Sequence, residues 1–369
     1  MQSNKTEKPV VVVTGSSGLI GSRLITKLCD QYQVAGLDIA PPKRKIPGTT
    51  FAKCDMTEDE SVGAALHQVA DDFGNSIASV IHLAAYYDFS GEPSPMYQEL
   101  TVDGTRRLLK HLQAFDVEQF VFSSTLLAMK PSDDGQPVNA FSPTAAEWDY
   151  PQSKLAAEAV IQEERQAIHT VILRLAGVYD EDCNSLPVAQ QISRIYEKQL
   201  ESYFFPGDAS HGQAFIHLDD LVECVLHVIK HRTDLSAHEL FVIGEEDVMS
   251  YEELQEKIGV LVHGKEWPSI RIPKAAAKAG AWVKDKLASD EDSSPFIKPW
   301  MIDLADQNYP VSLHRAKNFL EWKPEHTLRG TLPEIVDRLH RDPKRWYELN
   351  GLPVPDMVEE HATSGAEKS

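Results

Sequence analysis

Tyr150 and Lys154 open the run Tyr150-Pro151-Gln152-Ser153-Lys154, which continues as LAAEAVIQEE. Proline is tolerated in a first helical turn, and residues four apart share a helix face, so phenol and ammonium are presented together. An ordinary phenol, with a pKa of about 10, is a poor base at neutral pH unless a nearby cation favours the phenolate. With that support it can take a proton from an alcohol or return one to a carbonyl. Far upstream lies Thr14-Gly15-Ser16-Ser17-Gly18-Leu19-Ile20-Gly21. Its three glycines allow a tight turn, close backbone approach to a pyrophosphate, and close packing of a helix on a strand. The positive end of the helix that follows faces the phosphates. Asp38, 17 residues after Gly21, is placed to accept from the adenosine ribose hydroxyls and to repel a 2′-phosphate, which favours NAD over NADP. Lys43, Arg44 and Lys45 nearby read most simply as a solvated loop.

These groups need a scaffold that carries them to one edge. Short β-branched runs at 9–14, 33–38, 49–54, 79–84, 119–124 and 170–175 alternate with helical stretches such as Ile20 to Gln31 and Asp103 to Phe115. Alternation of this kind predicts right-handed crossovers and a Rossmann-type, doubly wound parallel α/β sheet. After residue 178 the pattern loosens, with one more strand, 239–244, that returns to the sheet. The expected division is an N-terminal tail over 1–8, a mainly dinucleotide-binding part over 9–178, a smaller C-terminal substrate lobe over 179–350, and a disordered tail over 351–369.

The Gly-x-x-Gly-x-x-Gly spacing resembles the extended short-chain dehydrogenase/reductases, the NAD-dependent epimerase/dehydratase group, over roughly residues 9 to 340. The resemblance implies that Gly15, Ser17, Gly18, Leu19, Ile20 and Gly21 cradle the dinucleotide, and that Asp55 touches the adenine, with Met56 beside it. Asp55 could equally cap the next helix, where Thr57-Glu58-Asp59-Glu60 already offers a capping box. Leu83, Ala84 and Ala85 would pass under the cofactor, whereas His82 reads as a packed histidine. Thr125, 25 residues before Tyr150, would bind the reacting oxygen, with Ser124 able to help. Lys154 would also hold the nicotinamide ribose. Three departures from the family pattern are Leu175 where proline is frequent, Thr101 where asparagine is common, and Leu126-Leu127 where sugar dehydratases carry an Asp-Glu pair.

The last departure disfavours sugar dehydration. Gly212-Gln213-Ala214 lacks the arginine that often holds a diphosphate, although Arg194 and Lys198 lie in the same lobe. Trp267, Trp282, Phe296, Trp300 and Tyr309 could line a pocket for an apolar alcohol or ketone, though most such rings are core. Alcohol/ketone redox is therefore the favoured reading. Nucleotide-sugar epimerisation on tightly bound NAD is the runner-up, and a silent NAD-binding regulator is the alternative from another class.

The formal charge of −20 repels a polyphosphate backbone, and no apolar run spans a bilayer, so neither nucleic acid nor membrane insertion is expected. MQSNKTEKP has no signal core, which points to the cytoplasm. Cys29, Cys54, Cys183 and Cys224 have no metal or redox spacing and read as reduced core residues. A homodimer is expected through the helices after Thr101 and Tyr150, where Leu108, Leu109, Leu155 and Ala159 either supply apolar area or pack on their own sheet.

Overall fold

The computed structural model describes residues 8–88, 91–133, 135–287 and 299–359. Seven parallel strands form one sheet: β1 Val10–Thr14, β2 Gln33–Asp38, β3 Thr49–Lys53, β4 Ser79–His82, β5 Gln119–Thr125, β6 His169–Leu175 and, beyond short strands outside this sheet, β9 His238–Ile243. Their order is β9-β6-β5-β4-β1-β2-β3. Strands covered on both faces should be continuously apolar rather than alternating. Val10 to Val13 in β1 and Phe120 to Phe122 in β5 meet that requirement, all being buried.

Helices pack on both faces: α1 Leu19–Leu28, α2 Asp59–Phe73, α3 Asp103–Leu112 and α4 Asp149–Glu164 among the first crossovers. Leu24 and Leu28 of α1 share a cluster with Val11, Val13 and Ile216. Leu66 of α2, Leu108 and Leu109 of α3 and Ile161 of α4 fill the opposite face against Val12, Val80 and Phe122. The expected dimer area is thereby corrected: Leu108 and Leu109 are fully buried on their own sheet, leaving half-buried Leu155 and exposed Ala159 on the outer face.

Beyond β6 the chain forms β7 Gly177–Tyr179 and β8 Phe215–His217, which pair with each other in parallel outside the main sheet. The helices α5 Leu186–Tyr196, α6 Leu218–Lys230, α7 Tyr251–His263, α8 Leu328–Arg341 and α9 Pro343–Leu349 follow. A third core gathers Ile192, Ile258, Trp267, Leu332, Ile335 and Tyr347. The sheet's own core also takes Tyr309, Val311, Leu313, Leu320 and Trp322 from late in the chain. The tail expectation needs revision, since Leu352 and Val358 are buried and the chain through Glu359 is described. Burial of these two apolar side chains favours docking of the segment that carries them. Residues 1–7 and 360–369 of the two expected tails, and Phe296, lie outside the described residues. No described helix is long and apolar enough to cross a membrane.

Candidate active site

The carboxyl edge of the sheet opens into a cavity of ≈ 580 Å³. Its lining brings together Gly15, Gly18, Leu19, Ile20, Gly21, Leu83, Ala85, Ser124, Thr125, Tyr150 and Lys154, all singled out from sequence. Ligands of open α/β sheets bind at this edge, where the strand order reverses.

The glycine loop is held to its geometry by contact. Gly15 has φ +67, and a Cβ there would lie 2.9 Å from the Ala84 nitrogen. At Gly21 a Cβ would stand 2.2 Å from the Gly15 carbonyl oxygen, so helix and loop meet with no room for a side chain. Gly18 caps α1 without a side-chain bond, leaving first-turn N–H groups facing the cavity end of the loop. Asp38 takes the Ser17 N–H at 2.9 Å on one carboxylate oxygen and the Ala40 N–H at 3.3 Å on the other. Its position at the end of β2 is thus fixed, and Ser17 serves through its bond to Asp38. Lys43, Arg44 and Lys45 are exposed.

Asp55 turns inward. One of its oxygens accepts from both the N–H and the hydroxyl of Thr57, at 2.9 and 2.7 Å. The expected capping box is absent: α2 starts with Glu58 as its cap and no side-chain cap bond, because Thr57 is already spent on Asp55. Met56 is a core side chain 4% exposed under α3, and its carbonyl accepts from Arg107. Ala84 donates its N–H to the Thr14 hydroxyl at 3.2 Å, as does Leu83. That hydroxyl faces His82 Nδ1 at 2.7 Å, and His82 Nε2 faces Thr105 at 3.0 Å. Thr105 donates onward to the Thr101 carbonyl, so His82 carries its proton on Nε2. Burial, then the Lys154 charge, pushes His82 down to about 3. It is a neutral structural link. Thr101, for its part, accepts the Tyr86 N–H at 3.0 Å.

Tyr150 sits in the first turn of α4 and lines the cavity together with Thr125, the last residue of β5. Burial pushes its phenol above the ordinary range and the nearby Thr125 hydroxyl pulls it back. Lys154 Nζ donates to the Ser123 carbonyl at 2.7 Å, and lies 4.8 Å from the Phe122 ring centroid and 5.9 Å from that of Tyr150. Burial lowers Lys154 to about 7, against the pull of Glu158. Ser124 is corrected: its hydroxyl donates to Glu158 at 2.5 Å, so it is bound into the scaffold and is not offered to a substrate oxygen. Glu158 also holds Arg174 of β6 through Nε at 3.0 Å and Nη2 at 2.6 Å. Helix, β5 and β6 are locked together at this point.

Rings surround the phenol. Tyr87 meets Tyr150 edge-on at 5.0 Å, Trp148 lies 5.5 Å away, and Trp300 is 5.2 Å from Trp148. Leu126 and Leu127 line the cavity. Of the other aromatics, Trp267 and Tyr309 are core and Trp282 is 55% exposed. Arg194 borders a second cavity of ≈ 250 Å³, and Lys198 falls past the end of α5.

Residues 11–244 match the family profile described as the NAD dependent epimerase/dehydratase family. The chain belongs to this family. Its members are NAD-dependent enzymes of the extended short-chain dehydrogenase/reductase type, and NAD is the cofactor. The chain is similar to a putative UDP-glucose 4-epimerase of Methanocaldococcus jannaschii, 26% identical over 65% of this chain and 82% of that one. It is also similar to a sterol-4-alpha-carboxylate 3-dehydrogenase, decarboxylating, of Candida albicans, 22% identical over 90% and 98%. The UDP-glucose 4-epimerase of Thermus thermophilus, solved with NAD, shares the fold at a TM-score of 0.66 and 20% identity, over 90% of this chain and 99% of that one. The family's cofactor fits: the crowding at Gly15 and Gly21, the open α1 terminus and the fixed Asp38 make a cradle for a dinucleotide. Among the lining residues that sequence reasoning missed are Asn184, from a loop with positive φ, and Asn350, the last residue of the expected lobe.

Proposed function

We propose that this enzyme interconverts a secondary alcohol and a ketone, with Tyr150 as general acid/base, Thr125 sharing the reacting oxygen, and Lys154 supporting both phenol and nicotinamide ribose. The observation that carries the reading is the convergence of Thr125, Tyr150 and Lys154 on the same cavity as the glycine loop, with Leu126 and Leu127, not acids, following Thr125. NAD, when bound, supplies the hydride acceptor or donor. Thr125 and Tyr150 orient the oxygen, the phenol moves its proton, and the leucines and rings exclude water. Asp38 favours NAD over NADP by repelling a 2′-phosphate. Gly15, Gly18, Leu19, Ile20, Gly21, Asp38, Asp55, Leu83, Ala84 and Ala85 are assigned to the cofactor. Leu155 and Ala159 lie on the outward face proposed to join a second copy.

The rings of Tyr87, Trp148 and Trp300 around Tyr150 favour an apolar ring alcohol over a sugar diphosphate. The relative acting on sterols accords with that. A panel of secondary alcohols, ketones and UDP-sugars, followed by NADH absorbance and by epimer analysis, tests the assignment. NADH formation from a ring alcohol is expected, with NADP a poorer partner. Epimer formation from a UDP-sugar with no net NADH would overturn it.

A further inference from the structure

The cavity lined by Thr125, Tyr150 and Lys154 has a neighbour. The second cavity, of ≈ 250 Å³, shares Pro187, Gln213 and Phe215 with the first as common walls. These residues belong to the C-terminal lobe: Pro187 lies in the first turn of α5, and Phe215 opens β8 two residues after Gln213. The short helix Pro299–Leu304 runs past both spaces, with Trp300 on Trp148 beside Tyr150, and with Met301 and Ile302 lining the second cavity. Sites that hold a whole small ligand commonly measure about 300–1,000 Å³. The second cavity falls below that range and suits one part of a ligand.

Its wall is bonded where it is polar and apolar where it is free. Phe205 stacks on Tyr251 at 5.0 Å, and Met249, Leu254, Met301 and Ile302 continue the apolar surface. Arg194 faces the charge of Glu201 and donates from Nη2 to Gln191 at 2.7 Å. Gln191 in turn donates to Gln255 at 2.8 Å, and Gln255 to the Pro268 carbonyl at 2.7 Å. The Tyr251 hydroxyl donates to the Gln307 carbonyl at 2.9 Å, and Glu245 accepts the Leu328 N–H. A polar group entering here would have to displace one of these bonds, whereas an apolar group meets a surface already matched to it. Gln213 differs. It is half-buried on the wall common to both cavities, and its side-chain amide has no partner among the described residues. A neutral amide at that passage offers no charge to a diphosphate.

We propose that the two cavities form one substrate site, in which an elongated alcohol presents its carbinol to Tyr150, passes Gln213 and buries an apolar end against Phe205, Tyr251 and Met301. This rests on the alcohol/ketone reading above and narrows it: the substrate is a ring alcohol with an apolar extension, and its far end carries no charge.

The test measures binding to the NADH-loaded full chain by calorimetry, with NADH formation from NAD followed in parallel. The probes are cyclohexanol and its trans-4-ethyl, 4-butyl, 4-hexyl and 4-octyl derivatives, with the 4-(5-carboxypentyl) analogue as the charged match to hexyl. Affinity should rise by roughly fourfold for each methylene that enters the second cavity, and the carboxylate should bind roughly tenfold or more below the hexyl probe. In Ala305→Trp, which adds a ring to the wall of the second cavity and is checked for folding by a thermal melt, the dependence on chain length should flatten. A flat series in the native chain, a carboxylate that binds better than its alkyl match, or an undiminished slope in folded Ala305→Trp would each overturn the proposal; the first two need no variant. Binding of UDP that the same substitution removes would assign the cavity to a nucleotide and overturn it as well. A rising series without any NADH formation would support the joined site while rejecting alcohol oxidation.

Discussion

Burial acts on both members of the Tyr150 and Lys154 pair, raising the phenol and lowering the ammonium to about 7. Near neutrality Tyr150 is therefore protonated and ready to donate to a ketone oxygen, and oxidation requires the positive charge of the oxidised nicotinamide to favour the phenolate. Tyr150→Phe keeps the ring and its contacts but deletes the proton donor. Turnover should fall by ~10²–10⁴, with NADH affinity changed less than about twofold. Near-full activity of a folded variant would remove Tyr150 from the mechanism and strengthen the silent-regulator reading. Lys154→Met should lower both turnover and NADH affinity, read by absorbance kinetics and calorimetry on the same samples.

The elements hold these side chains by contacts that can be broken singly. Gly21→Ala would press a Cβ to 2.2 Å from the Gly15 carbonyl, a backbone atom that can yield only if the phosphate loop moves. NAD affinity should drop by roughly tenfold or more, and because Gly21 is buried against backbone the melting temperature should fall with it. Unchanged affinity would mean that the loop does not set the pyrophosphate geometry. Glu158→Ala leaves the guanidinium of Arg174, whose side chain is 7% exposed, without its carboxylate, and should cost about 3–5 kcal/mol by urea denaturation. The main strands were readable from sequence to within a residue or two, because β-branched runs bounded by Gly, Asp or Thr leave few alternatives. The paired strands β7 and β8, three residues each, are too short to carry a periodicity of their own. Ser124 was misjudged for a related reason: a strand end shows which residue types are present, but not which hydroxyl a buried carboxylate has already claimed. Asn350 escaped notice because its partners, Asp182 and Trp346, are joined to it only by the fold.

At the scale of the whole molecule, Glu245 joins the sheet to the C-terminal helices, taking the Leu328 N–H at 2.8 Å and lying 3.4 Å from the Tyr179 hydroxyl. Burial raises its carboxyl from 4.5 to about 8. A folded pKa above the unfolded one gives a contribution complete below about 4.5 that is lost as pH rises through 8. The melting temperature of the native chain should therefore fall relative to Glu245→Gln between pH 5 and 8, by on the order of 2 °C. Parallel curves would contradict the shifted carboxyl. The proposed homodimer has its own measurement: Ala159→Arg places a charge on the outer face of α4 and should convert a dimeric mass to a monomeric one by light scattering. A monomer in the native chain at micromolar concentration would count against the assembly.

The sheet core draws Tyr309, Val311, Leu313, Leu320 and Trp322 from beyond its last strand. During synthesis, the ribosome releases every strand of the seven-stranded sheet by residue 243 while the side chains that seal one face are still to come. A fragment ending there has its strands in hand but an open apolar face, so it should bind chaperones or aggregate, and refolding should complete only when the chain beyond residue 322 is present.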